Sequence, residues 1–269
     1  MTTTVTKVVS DPTSSLILRA DTGGIATLTL NRPAQFNAIS VAMLVEMQRA
    51  LDVIAADKSV RIVVIAGAGQ AFSPGHDLKE MLANSNEAFI GDLFRRCCNV
   101  MLTIQRLPQP VIAKVHGIAT AAGCQIVAAC DLAVSAEDAR YATSGVNFGL
   151  FCATPGVAVS RNISRKRAFE MLMTGEFIDA QTALDWGLVN RVAPVDHLDA
   201  ETSALAQSMI DKPGAVLAAG KKFFYEQLER KLEDAYALAS VVITRNMLGD
   251  DAQEGVSAFV EKRKPRWNV

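Results

Sequence analysis

Two glycine-containing loops carry the residues whose spacing could support chemistry. The first spans residues 71–80 around Ser73-Pro-Gly-His76, and the second spans residues 116–125 around Ala121-Ala-Gly123. Each is predicted to follow a strand and precede a helix, whose first N–H groups have no intrahelical partner and lie at the positive end of the helix dipole. Two such loops side by side could direct two N–H groups at one oxygen, as an oxyanion hole does for an enolate or a tetrahedral intermediate. The alternative is a pair of ordinary strand-to-helix loops whose alanines allow close helix packing.

The polar side chains of these loops include few that can exchange protons. Gln125 lies on an otherwise apolar helix, and its amide can hydrogen-bond water but cannot remove a proton from it at neutral pH. The ring of His76 could titrate near neutral pH, or it could pack on the surface while only its backbone serves the site. His116 and His197 are assigned structural roles.

The elements that must position these loops follow from hydrophobic patterning. A hairpin around Gly23-Gly24 and a helix capped by Ser40 come before the first loop. The predicted strands cover residues 16–20, 25–30, 60–66, 111–115 and 132–135, and the predicted helices cover residues 40–56, 86–107 and 121–129. Alternating strands and helices predict an α/β fold with helices packed on the faces of a sheet.

The C-terminal part of the sequence is predominantly helical. Helices are predicted at residues 165–174, 180–186, 198–210, 215–228, 232–247 and 253–262. No low-complexity linker interrupts the chain, so we predict an α/β core over residues 1–200 and a helical oligomerisation region over residues 201–269. Its apolar positions should be buried against sister chains; they include Leu238, Val241, Val242 and Met247.

The composition excludes several classes of protein. The 269 residues are 50% hydrophobic and carry a formal net charge of −1, which argues against nucleic-acid binding and disorder. The basic cluster Lys262–Arg266 is either a solvated helix end or an anion site. Five cysteines without a C-x-x-C pair and three scattered histidines predict neither a disulfide framework nor a metal site. Without a membrane-length apolar run or a targeting pattern in residues 1–12, we expect a cytoplasmic protein that does not bind membranes.

Several motifs, in order along nearly the whole chain, resemble the crotonase (enoyl-CoA hydratase/isomerase) superfamily. They are Leu30–Ala38, Phe72–Glu80, Pro110–Gly117, Thr120–Leu132, Thr174–Ala180, Trp186–Val189 and Ala258–Lys264. Each motif alone is weak, but their combined order and spacing are specific. The Gly75–Glu80 and Gly149–Cys152 segments are especially similar to the divergent branch of enoyl-CoA-hydratase-domain-containing proteins.

The resemblance implies a spiral of β-β-α turns, a C-terminal helical trimerisation region, and a homo-trimer or a dimer of trimers. It implies an acyl-CoA thioester as ligand, with coenzyme A as part of the substrate and no separately bound cofactor. The amides of His76 and Ala122 would form the oxyanion hole. Further substrate contacts are expected from the loops, the adenine-binding backbone and a neighbouring subunit; they are Ala34, Gln35, Phe36, Ser73, Pro74, Gly75, Asp77, Gly123, Asn147, Phe259 and Lys262.

The chain departs from the resemblance where the hydratases carry two acid–base glutamates. Those positions fall on Gln125 and Gly145, and a glycine at the second could occupy a φ > 0 conformation. Ser144, Asn147 and Cys152 are nearby replacements, with the thiol expected to be buried and inert. Three hypotheses remain open: a hydratase/isomerase weak in simple hydration, a decarboxylase of a malonyl-type CoA, and a non-catalytic acyl-CoA-binding protein.

Overall fold

A computed structural model describes residues 15–267, so the N-terminal segment assessed for targeting lies outside the described residues. These residues form nine strands: β1 (Ile17–Thr22), β2 (Ile25–Leu30), β3 (Ile62–Gly67), β4 (Val111–Val115), β5 (Ile118–Thr120), β6 (Leu132–Ala136), β7 (Arg140–Ala142), β8 (Ile178–Asp179) and β9 (Arg191–Ala193). They also form eleven α-helices: α1 (Val41–Ala56), α2 (Leu78–Ala83), α3 (Glu87–Arg106), α4 (Ala122–Ala129), α5 (Ala153–Val159), α6 (Arg165–Thr174), α7 (Ala180–Trp186), α8 (Leu198–Ile210), α9 (Gly214–Leu228), α10 (Leu232–Met247) and α11 (Asp250–Val260).

The main sheet has six strands in the order β1-β2-β3-β4-β6-β9. The hairpin strands β1 and β2 are antiparallel, and the remaining neighbours are parallel. Four consecutive β-branched residues of β3, Ile62 to Ile65, are at most 4% exposed. A strand buried on both faces is typical of a parallel sheet covered by helices, and it holds the first loop at its carboxyl end.

A second, smaller sheet has the order β5-β7-β8. Strand β5 follows β4, and strand β7 follows β6. Each of these pairs therefore contributes one strand to the main sheet and one to the second sheet. Helix α4 follows the first pair, and a 3₁₀ segment follows the second. Two isolated parallel bridges extend the layer towards the first loop, Ser73 with Ala119 and Ile39 with His76. The two glycine-containing loops are therefore neighbours in this second layer.

The C-terminal helices differ in how far they are buried. Helix α8 packs on the main sheet through Leu198 and Ala206, which are 6% and 0% exposed. The predicted boundary between residues 200 and 201 falls inside this helix. Helices α9 and α10 contain no fully buried residue, and α11 buries only Ala258.

One buried ion pair attaches α9 to the core. The Nζ atom of Lys221 lies 2.6 Å from Oδ2 of Asp131, with side chains 7% and 14% exposed. The hydroxyl of Tyr225 donates to Oδ1 of Asp131 at 2.8 Å, and the Val111 N–H donates to Oδ2. Asp131 therefore has a structural role.

Several short elements were missing from the sequence prediction. Strands β5 and β7 have three residues each, and helices α2 and α5 have six and seven. Helix α11 starts at Asp250 and ends at Val260, not at the predicted residues 253 and 262. Within residues 15–267, none of the helices combines the length and the apolar character needed to span a bilayer.

Candidate active site

The first loop turns its backbone towards the second at Gly75. The N–H of Ser73 donates to the Ile118 carbonyl, and the Ser73 carbonyl accepts from Thr120, so residue 73 pairs with the second loop. In an ideal strand, the N–H of residue 76 would then point to the opposite side. Gly75, at φ +98°, interrupts this alternation. Its carbonyl accepts a hydrogen bond from the Ile39 N–H, on the side away from the second loop. Because the C=O and N–H of one peptide unit point in opposite directions, the His76 N–H points to the side of the second loop.

The second loop leaves the N–H of the first residue of α4 without a hydrogen-bond partner in the described chain. Ala121 precedes this helix with φ 50° and ψ −119°, an uncommon conformation for alanine, and its N–H donates to the Ala142 carbonyl at 3.0 Å. The next residue, Ala122, is the first of the helix. Neither its N–H nor that of His76 donates a hydrogen bond to any group of residues 15–267.

Close packing of the loops brings these amides together. A Cβ atom built on Gly75 would lie 3.0 Å from the Ala122 nitrogen and 2.9 Å from the Ala121 Cβ. A Cβ on Gly123 would lie 2.1 Å from the Ser73 carbonyl oxygen. The two loops thus touch where both amides are unpartnered, which is the arrangement expected of an oxyanion hole.

Two residues predicted to contact substrate use their side chains within the protein. The Ser73 hydroxyl donates to the Asn37 carbonyl at 2.9 Å and accepts from the Gly75 N–H. The Asp77 carboxylate caps α2 by accepting from Lys79 and Glu80, and it pairs with Arg32 at 3.0 Å. Burial tends to raise the pKa of Asp77, but the Arg32 guanidinium and the cap hydrogen bonds hold it below its usual value. Both side chains stabilise the first loop.

The His76 ring is partly buried. It packs edge-on against Phe94 of α3 with ring centroids 5.1 Å apart, and its Nε2 atom is buried without a hydrogen-bond partner in the described chain. Burial lowers the pKa of His76 from 6.5 to about 4. The ring is therefore neutral at pH 7. The contact with Phe94 was missed, and the only sign of it in the sequence is the place of Phe94 in the predicted helix 86–107.

We expect His76→Phe to make the protein less sensitive to acid. Between pH 6.5 and about 4 the unfolded chain binds a proton at residue 76 and the folded chain does not. The free energy of unfolding is therefore independent of this ring above pH 6.5. As the pH falls from 6.5 towards 4, the free energy of unfolding decreases by up to about 1.4 kcal/mol per pH unit. Urea unfolding at pH 7, 6, 5 and 4.5 would measure this slope. His197→Phe, at a ring exposed to solvent, is the control, and equal slopes for wild type and His76→Phe would contradict the prediction.

The two positions that the resemblance assigns to acid–base glutamates are both buried. Gln125 is 3% exposed, its Oε1 atom lies 3.8 Å from the Cys97 Sγ, and its Nε2 atom donates to no group of residues 15–267. Burial raises the pKa of Cys97 to about 12, so its thiol is protonated and can act as a weak donor. Gln125 thus presents a neutral amide at the position that the resemblance assigns to a catalytic base.

Gly145 lies in a 3₁₀ segment, Ser144–Phe148, and the expectation of a positive φ there is wrong. The obstacle to a side chain is steric: a Cβ would lie 2.5 Å from the Leu150 carbonyl oxygen and 2.7 Å from the Cys152 Sγ. That thiol accepts from the Gly145 N–H, and burial raises its pKa, in agreement with an inert cysteine. Ser144 exchanges a hydrogen bond with Thr120 at 2.8 Å.

The remaining predicted contacts lie further out. Ala34, Gln35 and Phe36 form an exposed turn, with Phe36 at φ 52° and 52% exposed. Asn147 is exposed, and its amide donates to the Gly175 carbonyl at 3.3 Å.

The C-terminal residues predicted to contact the ligand lie on α11 and just beyond it. Phe259 is 83% exposed, and Lys262 follows the helix in the left-handed region. In the basic cluster, Arg263 is held by Glu254 at 2.6 Å and by Glu261. The hydrogen bonds and ion pairs found for α11 stay within residues 247–266, so the described structure does not bring it to the loops of its own chain.

The chain is similar to known proteins of one family. A sequence model of the enoyl-CoA hydratase/isomerase family matches residues 20–269. Enoyl-CoA hydratase domain-containing protein 3, mitochondrial, of Xenopus laevis is 46% identical over 244 residues, 91% of this chain and 83% of the relative. The cytoplasmic location predicted from the sequence is contradicted by such relatives, since those of Xenopus laevis, mouse and human are all mitochondrial by name.

Solved structures agree with the sequence relatives. The enoyl-CoA hydratase of Mycobacterium smegmatis is 55% identical with a TM-score of 0.93, covering 95% of this chain and 100% of that chain. The human enoyl coenzyme A hydratase domain-containing protein 3 is 42% identical with a TM-score of 0.91, covering 94% and 100%. These scores confirm the predicted crotonase-like α/β fold with helices at its C-terminal end.

Proposed function

Because the chain belongs to the enoyl-CoA hydratase/isomerase family, we propose that it binds acyl-CoA thioesters and polarises their carbonyl group. The thioester oxygen accepts hydrogen bonds from the amides of His76 and Ala122. The observation that carries this proposal is the pair of unpartnered amides at the contact between two tightly packed loops. The sequence resemblance to the enoyl-CoA-hydratase-domain-containing branch is confirmed by the relatives.

The same geometry makes simple hydration slow. Adding water to an enoyl thioester needs a group that takes a proton from water and one that delivers a proton to the α-carbon. Each such group typically contributes about 10²–10⁴-fold. Gln125 and Gly145 supply neither, and the His76 ring is a weak base because burial lowers its pKa to about 4. The oxyanion hole retains about 10²–10³-fold of catalysis by stabilising the enolate.

The coenzyme A portion extends away from the loops. In this proposal, the exposed backbone of Ala34 to Phe36 contacts the adenine end. Phe259 and Lys262 of a neighbouring subunit reach the ligand, because the polar contacts of α11 in its own chain keep it among residues 247–266. Arg263 is neutralised by Glu254 and Glu261, so Lys262 and Lys264 carry the phosphate contacts.

A panel of thioesters tests the function directly. Binding of a saturated, a 2-enoyl, a 3-hydroxyacyl and a malonyl-type CoA is measured by calorimetry, beside turnover of each. We expect micromolar or tighter binding and slow hydration of the enoyl ester. Rapid loss of CO₂ from the malonyl ester would identify a decarboxylase, and binding without any turnover would identify a non-catalytic acyl-CoA-binding protein. Absence of binding to all four would refute the proposal.

We expect the protein to assemble as a trimer or a dimer of trimers. Helix α10 and the residue after it expose apolar side chains that a monomer would leave in water; they include Leu232, Tyr236, Val241, Ile243, Met247 and Leu248, each at least 44% exposed. Light scattering at micromolar concentration gives the mass, and a monomer would contradict this expectation. Val241→Glu should weaken the assembly, with Glu233→Gln on the same helix as a control.

A further inference from the structure

Helix α9 reaches the core through a buried polar cluster. The helix contains no fully buried residue, yet the side chain of its Lys221 is only 7% exposed. The Nζ atom of Lys221 lies 2.6 Å from Oδ2 of Asp131 and donates to the carbonyls of Ile104 at 2.8 Å and Gln109 at 2.9 Å. One turn later, the Tyr225 hydroxyl donates to the other carboxylate oxygen of Asp131. The ammonium group is therefore surrounded by three acceptors from three different parts of the chain.

The sequence explains why the end of α3 needs a donor from elsewhere. In a continuing helix, the Ile104 carbonyl would accept from the N–H of residue 108, but Pro108 has no N–H. Ile104 is 0% exposed, so water cannot take the place of that donor. Lys221 supplies it from 117 residues further along the chain. Without Lys221, a buried carbonyl would lose its donor and the Asp131 carboxylate would lose its cation.

The two helices that meet this cluster also line the candidate site. Helix α3 ends shortly after the carbonyl that binds Lys221, and Asp131 lies just beyond the end of α4. Further back along α3, the Cys97 Sγ atom lies 3.8 Å from the Gln125 Oε1 atom of α4. The first residue of α4 is Ala122, whose N–H has no partner in the described chain. Lys221 therefore joins the C-terminal ends of two helices that contact each other at the site.

We propose that Lys221 is a positioning residue, through which α9 acts as a clamp that holds α3 against α4. The packing of Cys97 on Gln125 then depends on the C-terminal helices, although Lys221 itself binds only the far ends of α3 and α4. That Gln125 belongs to an acyl-CoA site rests on the proposed function. That α9 holds the two helices together does not, and it can be tested without any ligand.

The cysteines of the protein report on the clamp. Cys97 faces α4 from α3 and is 0% exposed, Cys130 lies beside the cluster and is 5% exposed, and Cys152 precedes α5 and is 8% exposed. Reaction of the full-length protein with N-ethylmaleimide, followed by peptide mass spectrometry, gives a labelling rate for each thiol. A buried thiol reacts only after local opening. In Lys221→Met, which keeps the length of the side chain but not its charge, Cys97 should react at least about ten-fold faster, while Cys152 keeps its wild-type rate.

A double variant separates the clamp from the effect of an unpaired charge. Lys221→Met leaves the Asp131 carboxylate buried without a cation, and adding Asp131→Asn removes that charge. Cys97 should still react rapidly in the double variant, because the Ile104 carbonyl still lacks its donor. A return to the wild-type rate would overturn the inference. Lys222→Met, at the exposed neighbouring lysine, is the matched control and should label as the wild type does.

The pattern of labelling decides between a clamp and a local or global loss of stability. Faster reaction of Cys97, with Cys152 unchanged, supports the clamp. An unchanged rate at Cys97, with or without faster reaction of Cys130, means that the change stays at the cluster and overturns the inference. An equal increase at all three thiols means global destabilisation and also overturns it. Tyr225→Phe keeps the ion pair and should show the same pattern to a smaller extent, which provides the test if Lys221→Met does not fold. Because no acyl-CoA is added, failure of the proposed function would leave these outcomes unchanged.

Discussion

Replacing Ala122 with proline should lower turnover of any acyl-CoA substrate by about 10²–10³-fold. Ala122 is the first residue of α4, and its N–H is free of any partner in the described chain. Proline lacks this N–H, and the first turn of a helix tolerates its ring. The residue before a proline favours extended backbone, so Ala121, at φ 50° and ψ −119°, has to shift to accept it. The substitution therefore removes one of the two donors and places a carbon where the thioester oxygen would lie.

The carbonyl stretching frequency of a bound enoyl-CoA gives a readout that does not depend on turnover. In the wild type, two hydrogen bonds should shift it to lower frequency, and Ala122→Pro should lose most of that shift. His76→Ala keeps its backbone amide and should keep the shift. Arg165→Pro, at the first position of α6, tests whether proline at a helix start is harmful in itself. An unchanged frequency in a folded Ala122→Pro variant would refute the assignment of this amide.

The second large effect concerns the two positions that lack acids. Gln125→Glu keeps nearly the same shape and introduces a carboxylate into a site that is 3% exposed. Burial should raise the pKa of that carboxylate and make it a better base. We expect a gain of about 10²-fold in hydration of a short 2-enoyl-CoA, partial because the second acid is still absent. The loss of enoyl-thioester absorbance measures the rate.

Gly145→Glu should fail for a steric reason. Its Cβ would collide with the Leu150 carbonyl and the Cys152 sulfur at 2.5 and 2.7 Å. Even Gly145→Ala should cost about 1–3 kcal/mol of stability. The double variant should then be no faster than Gln125→Glu alone. A wild-type turnover of roughly 10 s⁻¹ or more would contradict this account, because another group would have to supply the proton transfers.

Elements with strong patterning could be predicted from the sequence. The predicted bounds of β4, α6, α7, α8 and α10 coincide with the structure, because each has a clear period or a clear stop such as Gly175 or Gly187. Strands β5 and β7 have three residues each and are defined by pairing between residues 118–120 and 140–142. A local pattern cannot reveal a partner so far along the chain, so the second sheet was missed.

The candidate site could likewise be predicted only in part. Its two loops could be located because glycine and alanine at the ends of strands have a local meaning. The use of their side chains could not, because Ser73 and Asp77 are equally suited to binding a ligand and to holding a loop. The partial burial of the His76 ring depends on Phe94, which belongs to a separate helix further along the chain. The obstacle at Gly145 depends on the path of residues 150–152.

If main-chain amides bind the thioester carbonyl, the sequence of such a protein can change in evolution without loss of this contact. Any residue except proline can stand at positions 76 and 122 and still donate from its backbone. In the function proposed above, the chemistry after carbonyl binding depends on the residues at positions 76, 125 and 145, separately from the two donors. Natural selection can therefore exchange the reaction while the thioester remains held in one place. In this chain, histidine, glutamine and glycine occupy those positions around an intact pair of donors.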